Sequence, residues 1–177
     1  MAERRRKAGQ MKGRRARATL YRLAGKVGAA LKSRGLMMAT AESCTGGWVS
    51  EAVTMIPGSS EWFERGFVTY TYISKREMLG VKQSTLGRHG AVSEATVREM
   101  VAGALARSHA QVAVAVSGTA GPSGGTPEKP VGTVCVAARH GDRTRALQRI
   151  FPGARDEIRA RSAQAALDLL RLALLEA

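Results

Sequence analysis

The segment QVAVAVSG at 111–118 is apolar at nearly every position rather than at every second one. Successive side chains of a strand point to opposite faces, so a strand with this pattern has to be covered on both sides. LMMATA at 36–41 is a second short apolar run suited to a buried strand. The cover comes from helical-period segments. Leu20, Leu23, Val27 and Leu31 share one face over about 19–33, with Arg22, Lys26 and Lys32 opposite, until Gly35 ends the pattern. Trp48, Val49, Ala52, Val53 and Ile56 recur at the same spacing before Pro57-Gly58. Ser93 is a good N-cap for a helix striped by Val97, Met100, Val101, Ala104 and Leu105. A final helix over about 155–175 is expected to bury Ile158, Ala165, Leu169 and Leu172. GFVTYTY at 66–72 predicts a further strand, leading into a short helical turn from Ser74 to Leu79. Thr133 to Arg139 and Thr144 to Phe151 flank His140-Gly141-Asp142-Arg143 as a β-hairpin. Helices alternating with strands, then a hairpin, predict an α/β fold: a three-layer α/β/α sandwich around a mixed β-sheet.

The chain of 177 residues is 44% apolar and 24% charged, enough for one compact domain over 19–177. Charged residues interrupt every apolar run before the roughly 18 residues a membrane span needs, so no membrane role is expected. Cys44 and Cys135 stand far apart in no CxxC pair, and His89, His109 and His140 are isolated. Neither a disulfide framework nor a metal site is signalled, and the expected setting is the cytoplasm. The net charge of +14 suggests nucleic acid, yet half of it lies in residues 1–18, where eight basic side chains stand against Glu3 alone. That stretch has little to bury and predicts a disordered or loosely helical basic tail, the one place where nucleic acid could bind.

Three polar clusters follow predicted strands, where ligands of α/β sheets bind. In the first, Glu42-Ser43-Cys44-Thr45-Gly46-Gly47 precedes a helix. Main-chain N–H groups and the helix dipole there favour an anion, so Ser43 could attack a carbonyl while Cys44, Thr45, Gly46 and Gly47 hold the oxyanion. A cap for the helix is the plainer role for Ser43 or Thr45, and Cys44 competes as nucleophile because a helix start acidifies a thiol. With no histidine near, the base has to be of the Ser–Lys or Ser–Tyr–Lys kind, and Tyr70 and Lys75 are the candidates; the ordinary alternatives are a packed tyrosine and a surface lysine. The third cluster, TAGPSGGTPEKPVG, follows Ser117-Gly118. Gly118, Gly121, Gly124 and Gly125 match neither GxGxxG nor a P-loop, but such a turn can cradle phosphate, helped by Ser117, Thr119 and Ser123. Arg155 and Arg159, one helical turn apart, are candidate phosphate clamps or plain surface arginines.

Taken together, TAESCTGG (40–47), PGSSEWFERGFVTY (57–70), KREMLGV (75–81), HGAVSE (89–94), SGTAGPSGG (117–125) and KPVGTV (129–134) closely resemble the CinA carboxy-terminal-domain family, with coverage from about residue 20 to 177. The resemblance implies hydrolysis of the carboxamide of nicotinamide mononucleotide to nicotinic acid mononucleotide and ammonia, in pyridine-nucleotide salvage, without a metal or other cofactor. It implies Ser43 as nucleophile, Tyr70 and Lys75 as the residues that activate it and shuttle protons, and Ser117 with the glycine loop as the substrate-binding segment. A homo-oligomer is also implied. Family members commonly carry Ser-Asn after the tyrosine, where this chain has Thr71-Tyr72. The alternatives are a nucleotide-binding module of the same fold without turnover, and a nucleic-acid-associated protein acting through the tail.

Overall fold

The computed structural model describes the backbone of residues 2–175 and the side chains of 15–175. Six helices and five strands follow the order α1 (Ala2–Lys32), β1 (Met38–Glu42), α2 (Trp48–Thr54), a 3-10 turn (Ser59–Glu61), β2 (Phe63–Val68), α3 (Tyr72–Leu79), α4 (Gln83–His89), α5 (Glu94–Ala106), β3 (Val112–Gly118), β4 (Thr133–His140), β5 (Arg143–Ile150) and α6 (Arg155–Leu175). The strands form one sheet in the order β2-β1-β3-β4-β5. β1 runs parallel to both β2 and β3, while β4 and β5 continue antiparallel, so the sheet is mixed.

The Val-Ala alternation of β3 sorts the two covering layers. Val112, Val114 and Val116, with Met38, Val134 and Val136, meet Leu20, Val27 and Leu31 of α1, Val49 and Val53 of α2, and Ile158, Leu167 and Leu170 of α6. On the other face Ala113, Ala115, Ala39, Ala41 and Ala137 meet Val97, Met100, Val101 and Ala104 of α5, with Leu79 of α3 and Leu86 of α4. Small residues on that face let α5 lie close to the sheet, and each fully buried valine or leucine contributes about 1.5–3 kcal/mol. Gly103 shows how tight the second layer is: a Cβ there would lie 1.8 Å from the carbonyl oxygen of Leu79. The three-layer α/β/α reading of the sequence is the fold observed.

Several boundaries differ from expectation. Helix α1 begins at Ala2 rather than near 19; the side chains of residues 1–14, and with them most of the expected basic tail, lie outside the described residues. β2 ends at Val68, because Thr71 and Ser74 form a reciprocal capping box that starts α3 at Tyr72. The 3-10 turn and α4 were not expected. In α6 it is Leu167, Leu170 and Leu174 that are fully buried, whereas Leu172 is exposed and Ala165 only partly covered. Among the described residues no helix is long and apolar enough to cross a membrane.

Candidate active site

The parallel strands β1, β2 and β3 end at the same edge of the sheet, with Glu42 in register with Val68 on one side and Val116 on the other. The chain leaving β1 is pinned at once: the Ser43 amide donates to the Val116 carbonyl at 3.0 Å, and the Thr69 amide to the Glu42 carbonyl at 2.8 Å. Gly46 and Gly47 then take φ of 60° and 97°, a left-handed pair that other residues rarely adopt, and α2 begins.

Glu42 organises this turn, and the sequence reading missed it. Its carboxylate is buried and accepts five hydrogen bonds. Thr45 Oγ1 donates at 2.6 Å, and the amides of Gly47 and Val49 at 3.0 Å each, all to Oε2. The Ser50 amide and hydroxyl donate to Oε1 at 2.8 and 2.7 Å. An anion from within the chain thus occupies the helix start that had been assigned to the substrate's oxyanion. Gly46 N–H is also used, on the Ser43 carbonyl at 3.0 Å. Of the four residues expected to hold the oxyanion, Gly46 and Gly47 are therefore committed elsewhere, and the amides of Cys44 and Thr45 are without an acceptor on another residue among the described residues. The one available sequence signal was an acid closing an otherwise uncharged buried strand.

Lys75 is brought to Ser43. Its Nζ donates to Ser43 Oγ at 3.0 Å and to the Thr69 carbonyl at 2.7 Å. The Thr71–Ser74 capping box fixes the start of α3 and therefore where Lys75 projects. The side chain is almost wholly buried, and burial pushes the amine down from 10.5 to about 8. Facing Lys75 across the turn, the Cys44 thiol is pushed by burial up to about 11, so it is neutral near pH 7 and poorly suited to attack. Cys44 packs with the α1/α6 core rather than presenting a thiolate, which removes the reason for preferring it. Thr69 is buried beside this pair, and its Oγ1 has no partner among the described residues.

Tyr70 sits differently from expectation. It is 59% exposed and its hydroxyl accepts from Arg155 Nη2 at 3.0 Å, with no hydrogen bond to Ser43 or Lys75. Arg155 also donates to the Gly121 carbonyl at 2.6 Å, so it joins the β2–α3 link to the glycine loop at the mouth of the site. Arg159, expected beside it as a second phosphate clamp, turns inward: Nε donates to the Cys44 carbonyl at 3.0 Å and Nη2 to the Thr45 carbonyl at 2.8 Å, with the guanidinium 5.3 Å over the Trp48 ring.

Ser117 is buried at the end of β3, and Gly118 lets the Cys44 turn and β4 close in, since a Cβ there would be 2.7 Å from Val134 Cγ2 and 3.2 Å from Cys44 Sγ. Thr119 pairs with Thr133 and Gly132 at the base of the loop. Gly121 is buried, and Gly124 and Gly125 belong to the exposed tip. Lys129 holds the returning arm by donating to the carbonyls of His89 and Val92 at 2.8 and 2.7 Å.

A serine hydroxyl on a strand-to-helix turn, a buried lysine bonded to it, and unused amides in the same turn define a class of site suited to acyl transfer by a Ser–Lys pair. The comparisons give the lineage. Residues 20–174 match the model of the CinA C-terminal domain, and the chain belongs to that family. It is 53% identical over 154 residues to the nicotinamide-nucleotide amidohydrolase PncC of Escherichia coli (strain K12), covering 85% of this chain and 92% of that protein. The PncC of Pseudomonas putida is 50% identical over 151 residues, covering 85% and 94%. Among solved structures, the competence/damage inducible protein CihA from Agrobacterium tumefaciens superposes with a TM-score of 0.85 at 46% identity, covering 89% of this chain and 96% of that one.

Proposed function

We propose that the protein hydrolyses the carboxamide of nicotinamide mononucleotide, releasing nicotinic acid mononucleotide and ammonia, with Ser43 as nucleophile. The observation that carries this reading is the buried Lys75 amine 3.0 Å from Ser43 Oγ. With its value lowered to about 8, about one molecule in ten holds the amine neutral at pH 7, against about one in three thousand at an unperturbed 10.5. A neutral amine takes the Ser43 proton as Oγ bonds to the carboxamide carbon. The carbonyl oxygen gains the charge, and the amides of Cys44 and Thr45 receive it. The Lys75 ammonium then protonates the departing nitrogen, the C–N bond breaks, and ammonia leaves an ester on Ser43. Water, deprotonated by the same amine, cleaves that ester and restores the serine. Tyr70 and Arg155 at the mouth, with Ser117 and the glycine loop, are assigned to the nucleotide, whose phosphate suits a guanidinium and loop amides.

Sequence similarity to the two PncC proteins supports the substrate, and the Ser–Lys geometry supports the chemistry. The test is incubation of purified protein with nicotinamide mononucleotide, following ammonia and nicotinic acid mononucleotide together. Equimolar formation of both is expected. Thermal stabilisation by the nucleotide without either product would instead identify a binding module.

A further inference from the structure

Arg159 lies on α6, far along the chain from the β1–α2 turn, yet two of its nitrogens reach two consecutive carbonyls of that turn, Cys44 at 3.0 Å and Thr45 at 2.8 Å. Among the described residues the one cis peptide bond is Gly121-Pro122, so the bonds joining Cys44, Thr45 and Gly46 are trans. In a trans peptide the C=O and N–H point in opposite directions. Drawing both carbonyls toward α6 therefore turns the N–H groups of Thr45 and Gly46 away from it. Gly46 N–H shows where that direction leads, because it ends on the Ser43 carbonyl at 3.0 Å. Thr45 N–H points to the same side and meets no protein acceptor among the described residues.

We infer that Arg159 is a positioning residue: by holding the carbonyls of Cys44 and Thr45 it aims the Thr45 amide at the space beside Ser43 Oγ, where the oxyanion forms. The inference rests on the reading of Ser43 as nucleophile. Only a planar fork can span two successive carbonyls while stacked on Trp48, which a lysine cannot imitate. A cation on the carbonyl side of a peptide also polarises it, making the N–H on the other side a stronger donor. The arginine expected to grip phosphate therefore serves the reacting centre from behind.

The test compares Arg159→Lys and Arg159→Gln with wild type. Removing an oxyanion donor costs about 100–1,000-fold in kcat, so misaiming one should lower kcat by about 10–100-fold while KM stays within about threefold. Added methylguanidine should restore part of kcat in Arg159→Ala. A raised KM with kcat retained would mean that Arg159 grips the substrate, and would overturn the inference. A second readout needs no turnover: the backbone amide signals of Thr45 and Gly46 should move in the NMR spectrum of Arg159→Lys while those of the β4–β5 hairpin stay in place. Unmoved Thr45 and Gly46 signals would also overturn it. Wild-type protein that releases no ammonia would refute the proposed activity, leaving the amide signals to decide the role of Arg159.

Discussion

Replacing Glu42 with glutamine keeps the shape of the side chain and removes one acceptor oxygen from a carboxylate that accepts five hydrogen bonds. The less costly orientation leaves the amide oxygen where Oε2 stands, still accepting from Thr45 Oγ1 and the amides of Gly47 and Val49. The new NH2 then faces the Ser50 amide and hydroxyl. The hydroxyl can turn and accept, but the main-chain N–H cannot, so one donor is orphaned and the surviving bonds lose their charge. An orphaned donor costs about 1–3 kcal/mol and a charge-assisted bond is roughly twice as strong as a neutral one, which together predict destabilisation of about 2–4 kcal/mol. For a chain of this size that is a fall in Tm of roughly 5–15 °C. Urea unfolding followed by tryptophan fluorescence measures it, with an unchanged m-value as the check that only stability has moved. Glu51→Gln is the control, since Glu51 is exposed on α2, the helix whose first amides Glu42 holds, and pairs loosely with Arg17 at 3.7 Å; its effect should stay within about 0.5 kcal/mol. A Glu42→Gln protein within 1 kcal/mol of wild type, by the same order-of-magnitude scale, would show that the carboxylate does not hold the turn together.

With neutral Lys75 as the proposed base, log kcat/KM should rise with unit slope and level off near pH 8; a profile flat from pH 6 to 9 would remove Lys75 from that role. The folded value lies below that of an unfolded lysine, so the unfolded chain binds more protons between about pH 8 and 10.4 and stability rises with pH across that window. Lys75→Met should accordingly abolish turnover yet stabilise the fold at pH 7 by about 1–2 kcal/mol, a gain that shrinks toward pH 10 in denaturation curves. Thr69→Val deletes a buried hydroxyl without a partner while keeping the main-chain bonds to Lys75 and Glu42, and should raise stability by about 1 kcal/mol in the same assay. Gly103→Ala should destabilise by about 2–3 kcal/mol, because the Leu79 backbone against it cannot yield as a flexible side chain would; a smaller loss would show that α3 and α5 slide freely.

The elements legible in the sequence are those whose residues are sorted by burial alone. β1 and β3 declare themselves as apolar runs, and α6 begins and ends as its pattern indicates, at Arg155 and Leu175. β2 was displaced because Tyr70 and Tyr72 carry strong strand propensity, whereas the hydrogen bonds between Thr71 and Ser74 decide where the helix starts. Within the site, chemistry made Ser43 and Lys75 candidates, since a serine at a turn without a nearby histidine needs an amine, and the family resemblance preferred them to a helix cap and a surface lysine. The environment of that amine was not readable: its burial depends on how α3 packs behind the turn. Glu42 was missed, and Arg159 was read as a phosphate clamp or a surface arginine, for one physical reason. Both are charged groups consumed internally, by donors and carbonyls that come together only when β1, α2 and α6 are assembled.

The proposed chemistry requires the hydroxyl at position 43 to be the attacking group. Initial rates of ammonia release from nicotinamide mononucleotide by Ser43→Ala and Cys44→Ala, each verified as folded, test that most directly. Loss of turnover in the first with retention in the second is the result the geometry demands. Turnover persisting in Ser43→Ala would contradict it.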